Sequence, residues 1–215
     1  MKHSLQKIQT PPASEQEKNS NVYNLSDDFK IEQLKMLRDF LSLDKKEYER
    51  ELSKITSVSS KKHIDNMRKA YLCGSSLLNI PKSIQLLKDL KKSTEIDPEH
   101  YEYFSTGTYT GSFYKSSNIQ RGTTYSNGLK TTDPIYNNSE NIIFHSHPST
   151  SPLSLNMGKT GDLGHAYKGK KQVVVINKEG DIFYTNYDLS KSCFEILNGC
   201  EDIAGQVYLG NIKDY

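Results

Sequence analysis

Residues Val173-Val174-Val175-Ile176 form a run with no polar residue alternating through it. A strand of that kind is buried on both faces and sits in the middle of a sheet. A second apolar run, Ile142-Ile143-Phe144, stands upstream and ends in His145-Ser146-His147-Pro148. Two imidazoles two residues apart on a strand share a face. Asp162 follows, at the start of a short helix read over residues 160–168. A carboxylate returned by that helix completes a set of three metal-binding side chains. Three protein ligands with an open fourth position is the arrangement of a catalytic zinc site rather than a structural one.

The texture of the chain changes near residue 100. Before it, spacings of three and four predict helices. Phe29, Ile31, Leu34, Leu37, Phe40 and Leu41 fall on one stripe, with Ser26 as the cap. Asp44 and Glu47 have the form of a capping box before Tyr48, Leu52 and Ile55. A third helix, from about Ser60, carries Ile64, Met67, Ala70 and Tyr71 and is expected to stop or break at Gly74. Pro81 opens a fourth, with Ile84, Leu87 and Leu90. After residue 100, Tyr, Thr, Gly and Ser dominate, which suits strands and turns. A hairpin is expected from Tyr101–Ser105 and Tyr109–Tyr114 around Thr106-Gly107-Thr108. Asn127-Gly128 is a turn signal. Asp181–Asn186 reads as a strand and Leu189–Leu197 as a helix.

This pattern predicts an α/β (α+β) domain over residues 96–215, a mixed sheet with flanking helices. A small helical segment at 26–95 precedes it. Residues 1–25 are rich in Ser, Gln, Asn, Lys, Glu and Pro, too polar to bury a core, and are expected to form a disordered leader.

Charge narrows the function classes. Lys and Arg number 28 against 26 Asp and Glu, a net charge of +2. That balance leaves no footprint for nucleic acid or an anionic membrane, and neither is expected as a partner. No stretch approaches the ~20 apolar residues of a membrane span. Cys73, Cys193 and Cys200 are an odd count without a dense framework, and read as buried or free thiols.

The order strand, HxHP, loop, Asp at a helix start, buried strand, hairpin, strand resembles the JAB/MPN metalloprotease family, also called JAMM. Its signature is a Glu on an upstream strand, then HxHP, then SxxD. The resemblance covers about residues 98–187. It implies that His145, His147 and Asp162 hold zinc. It implies a general base among Glu99, Glu102 and Glu140. Glu102 is preferred, because it lies in a Tyr-rich strand 43 residues before His145. The Ser of SxxD falls on Lys159, with Thr160 beside it, so the oxyanion role passes to one of these or is lost. Ser149, Ser151 and Ser154 are alternative hydroxyls. His165, one turn beyond Asp162, is a candidate neighbour or substitute ligand.

The implied chemistry is amide or isopeptide hydrolysis. Zinc lowers the pKa of its water from 15.7 to about 7. Glu102 moves the proton to the leaving amine, and a donor near position 159 holds the oxyanion. The implied substrate is a protein, in many members a ubiquitin-like conjugate. Family members end some bacterial toxins. The polar leader therefore leads to the expectation of an effector secreted through a specialised bacterial system into a target cell. Otherwise the protein is expected to be cytoplasmic. The helical segment would bind the target, a secretion chaperone or an export component.

Three rival readings use the same residues or neighbours. PHP phosphoesterases and amidohydrolases place HxH early, with many further ligands, whereas only His165 follows here among histidines. A cysteine–histidine hydrolase lacks a recognisable nucleophile setting. A non-catalytic MPN-like binding module predicts that His145, His147 and Asp162 are dispensable.

Overall fold

A computed structural model of the chain describes residues 26–111, 114–122, 124–126, 129–131, 140–154, 161–196 and 203–215. The expected leader at 1–25 lies outside the described residues.

Helix α1 (Asp27–Ser42) starts where Ser26 accepts the Phe29 amide at 3.3 Å. It buries Ile31, Leu34 and Leu41. Phe29 departs from the predicted stripe and is 48% exposed. It lies two residues before Ile31, and so points about 200° away from it. Helix α2 (Lys45–Ser53) is capped by Asp44, which accepts the Glu47 amide at 2.9 Å. Helix α3 (Val58–Leu78) does not stop at Gly74 as predicted. A Cβ there would lie 2.8 Å from Leu209 Cδ1 and 3.0 Å from Tyr184 Cγ. The glycine serves close helix–sheet approach, not termination. Helix α4 (Pro81–Ile96) takes Pro81 at its first turn.

The strands are β1 (Tyr103–Tyr109), β2 (Tyr114–Ser116), β3 (Gln120–Arg121), β4 (Thr124–Ser126) and β5 (Leu129–Thr131). Then come β6 (Ile142–Ser146), β7 (Gln172–Ile176), β8 (Asp181–Thr185) and β9 (Val207–Asn211). Helix α5 (Asp162–Gly169) links β6 to β7, and α6 (Tyr187–Ile196) follows β8. The main sheet runs β2-β1-β6-β7-β8-β9, with β3 also on β1, while β4 and β5 form a separate hairpin. Among the described strands only β6 and β7 pair in parallel, and α5 lies in the crossover such a pair requires. The fold is mixed α+β, as the sequence predicts.

The first hairpin is misplaced by the sequence reading. β1 runs straight through Thr106-Gly107-Thr108, because Thr106 and Gly107 pair with Ile143 and Ile142. The chain turns later, where Gly111 takes a φ of 86°. The expected turn at Asn127-Gly128 lies outside the described residues, and its flanks pair as Ser126 with Leu129. Strand β9 was not anticipated.

Strand alternation divides the core in two. Ile142, Phe144, Val174, Ile176, Ile182, Tyr184 and Leu209 pack with residues of α3 and α4. Ile143, Val173, Val175, Phe183 and Tyr208 pack with Ile31 and Leu34 of α1 and Ala166 of α5. The sheet is thus sandwiched, and β7 is buried on both faces as predicted. The helices of 26–95 supply part of both layers.

Cys73 is a free thiol. Cys193 corrects the expectation of unpaired thiols, since it is disulfide-bonded. Pairing depends on where the fold places two Cα atoms, not on motif spacing. Among the described residues no helix is long and apolar enough to cross a membrane.

Candidate metal centre

The pleat of β6 decides what each residue of His145-Ser146-His147 meets. Ser146 turns toward the α4 layer, where its hydroxyl bonds Thr94 Oγ1 and accepts the Tyr103 amide at 3.1 Å. His145 and His147 turn to the opposite layer, and their Nε2 atoms come within 3.1 Å. Both rings are buried, at 5% and 7% exposure.

Strand β1 brings the first carboxylate. Phe104 pairs with His145, so continuing the antiparallel register by two residues sets Glu102 across from His147. Glu102 Oε1 lies 3.9 Å from His147 Nε2. Helix α5 brings the second. Asp162 opens it, with Oδ1 3.0 Å from His145 Nε2 and Oδ2 3.6 Å from His147 Nε2. The Ser154 amide donates to Asp162 Oδ2 at 2.6 Å. Burial alone would raise the Asp162 carboxyl, but the two histidines and the Ser154 amide outweigh it and hold it down to about 2.

The donors fit a cation. His147 Nδ1 bonds the Ser151 carbonyl at 3.1 Å. A carbonyl only accepts, so Nδ1 carries a proton, and in the neutral ring Nε2 keeps its lone pair toward the centre. The ligand atoms of Glu102, His145 and His147 all lie within 4.8 Å of one another, and this group can hold a metal ion. No other such group occurs among the described residues. Asp162 touches both histidines, so two carboxylates compete for the third ligand position.

No family model, no curated protein and no solved structure matches this chain.

The remaining candidates fall elsewhere. Lys159 and Thr160 lie outside the described residues. Ser151 Oγ donates to Asp27 Oδ2 at 2.6 Å, so this hydroxyl fastens the loop to α1. Ser154 contributes its amide. Glu99 pairs with Arg121 at 2.7 Å. The Glu140 carbonyl accepts from Lys171 Nζ. His165 is not in the metal-binding group.

A clamp missed in the sequence holds the Glu102 segment. Arg121 on β3 donates to Asp97 through Nε at 2.5 Å and Nη2 at 3.0 Å, and lies 3.9 Å over the Tyr101 ring. The Gly122 amide donates to the Glu102 carbonyl at 2.8 Å. The hydrogen bonds from Arg121, with smaller help from the Glu99 amide and Tyr103 hydroxyl, hold the Asp97 carboxyl well below the usual carboxylate range against the effect of burial. A carboxyl depressed on folding contributes stability above its unfolded pKa of about 3.9 and loses it as pH falls toward the folded value. Wild-type stability is therefore expected to drop below about pH 4. Asp97→Asn should be less stable at neutral pH and change less through that acid window, as read from urea midpoints at each pH.

Proposed function

We propose that Glu102, His145, His147 and Asp162 form the centre of a zinc-dependent peptidase or isopeptidase on the JAB/MPN plan. The observation that carries this reading is the convergence of both HxHP imidazoles with two carboxylates from separate elements. His145, His147 and Asp162 would hold the metal. Asp162 is assigned as the third ligand because it is nearer to both rings and is fixed by the Ser154 amide. When bound, the metal supplies Lewis-acid chemistry, acidifying a water and polarising a carbonyl.

Glu102 borders this group and its side chain is 12% exposed. It is the proton carrier, accepting at Oε1 and returning the proton to the leaving amine. Lys159 or Thr160 would serve the developing oxyanion. The substrate class is a protein amide or isopeptide, with a ubiquitin-like conjugate as the first candidate. Export as a bacterial effector belongs to the same reading and rests on the polar residues 1–25.

The test is Glu102→Gln, assayed for zinc content and for cleavage of peptides and isopeptide-linked ubiquitin-like substrates. The variant is expected to keep its metal and lose about 10²–10⁴ in turnover. Unchanged turnover overturns the base assignment. Loss of metal in Glu102→Gln, with retention in Asp162→Asn, would exchange the two carboxylates' roles.

A further inference from the structure

Ser146 stands between the two histidines of β6, and its side chain leaves on the opposite face of the sheet from theirs. It is only 1% exposed. From that face it touches neither ring, so any part it plays at the metal centre is played through other residues.

Its hydroxyl is used in full. A serine hydroxyl has one proton to give and two lone pairs to fill. The Tyr103 amide donates to Ser146 Oγ at 3.1 Å, and Oγ donates to the Tyr103 carbonyl at 3.3 Å. With its proton on that carbonyl, Ser146 accepts in the remaining bond, and the Thr94 hydroxyl of α4 is the donor.

These bonds lie where the pairing of β1 with β6 runs out. The paired residues extend from Gly107 with Ile142 to Phe104 with His145. One step further in the same register Tyr103 meets Ser146, and here the side chain makes the link. Asn141 clasps the far end in a similar way, bonding the Tyr109 amide at 2.8 Å and its carbonyl at 2.9 Å.

The peptide that joins Glu102 to Tyr103 is therefore held at both of its polar ends. Its N–H is the one bonded to Ser146 Oγ. Its C=O is the Glu102 carbonyl, which accepts from the Gly122 amide at 2.8 Å. A peptide unit is planar, so bonds on its two sides fix its orientation. That orientation sets the direction in which the Glu102 side chain leaves the backbone, toward the His147 ring 3.9 Å away. Ser146 is itself covalently joined to both histidines. One hydroxyl thus ties the strand of the carboxylate to the strand of the imidazoles.

We infer that Ser146 is a positioning residue that sets the reach of Glu102 to the metal-binding group. The inference deepens the peptidase reading and rests on the assignment of Glu102 as proton carrier. Proton transfer needs heavy atoms within about 2.6–3.2 Å, and a misplacement of about 1 Å costs about 10²-fold in rate. Removing the hydroxyl leaves the Tyr103 amide without its acceptor and frees this end of β1 to move.

The experiment uses the full-length protein and three readouts. These are amide hydrogen exchange by NMR, zinc content, and cleavage of the substrates used for Glu102→Gln. In Ser146→Ala the Tyr103 amide should exchange at least about tenfold faster, referred to the Val174 amide of the central strand. Zinc content should match the wild type. Turnover, kcat, should fall about 10- to 100-fold with KM unchanged. Ser146→Thr keeps the hydroxyl and should restore both exchange and turnover. Ser146→Ala placed in Glu102→Gln should add no further loss, as expected of residues that act as a unit. Asn141→Ala loosens the far end of β1 and should leave Tyr103 exchange and turnover as in the wild type. Thr94→Val removes one of the three bonds and serves if Ser146→Ala fails to fold, with the same pattern at smaller size.

Unchanged Tyr103 exchange in Ser146→Ala overturns the role. Loss of zinc does so too, because the hydroxyl would then be supporting the ligands rather than Glu102. A loss that adds in full to that of Glu102→Gln shows a purely structural effect and also overturns it. Each of these results, with cleavage by the wild type, leaves the peptidase reading in place. No cleavage by the wild type, with Tyr103 protection lost in Ser146→Ala, keeps Ser146 as the link that orients Glu102 and removes the peptidase reading.

Discussion

On the proposed reading, His147→Ala reduces bound zinc from about one ion per chain to nearly none. The expectation rests on the Nε2 lone pair that the Ser151 carbonyl bond directs at the centre. Alanine removes that donor, and the site would then lack the three protein ligands that a catalytic zinc ion takes. His145→Ala should do the same, because its Nε2 lies between His147 and Asp162. His165→Ala should leave the metal in place, since that ring is outside the group. Elemental mass spectrometry after dialysis decides the matter, with circular dichroism to show that each variant is folded. Full zinc content in both His145→Ala and His147→Ala would remove the proposed centre.

Phe144→Ala should give the largest loss of stability, about 3–5 kcal/mol. Phe144 is fully buried at 0% exposure, on the strand that ends in His145. It packs in the layer shared with α3 and α4. The neighbours belong to a tightly paired sheet on one side and to two helices on the other, so the cavity left behind cannot readily collapse. Against a typical total of about 5–15 kcal/mol this is a large fraction. A urea titration should show a lower midpoint with an unchanged slope. If the proposed centre binds zinc in the folded state only, added zinc should raise the variant's midpoint. A loss below about 1 kcal/mol would show that the layer repacks around the gap.

The parts of the site that could be read in the sequence were local or periodic. His145 and His147 followed an apolar strand, Asp162 opened the next helix, and Val173–Ile176 announced a central strand. Glu102 was harder, since its place depends on register with a strand more than forty residues away. Its Tyr-rich surroundings were the available signal, and the structure does bring it to His147. Other features were set by tertiary contact and left little local trace. Thr106-Gly107 resembles a turn but is held straight by pairing with β6. Gly74 resembles a helix stop but is a point of close approach to Leu209. Arg121 and Asp97 form no sequence pattern, yet together they clamp the segment that carries Glu102. Strand β9 is short, and the Val207-Tyr208-Leu209 run is its local trace in the sequence.

Helix α1 has a consequence for the order of assembly. Ile31 and Leu34 pack in the layer completed by Tyr208, and Asp27 fastens the loop after His147 through Ser151. Among the described elements, the first helix therefore docks against the last strand. Contacts of such long sequence separation form slowly, after local structure. Until β9 is in place, α1 lacks Tyr208 as a packing partner, and the helix that clasps the loop behind His147 is incompletely seated. The surroundings of the two histidines are then a late acquisition in folding.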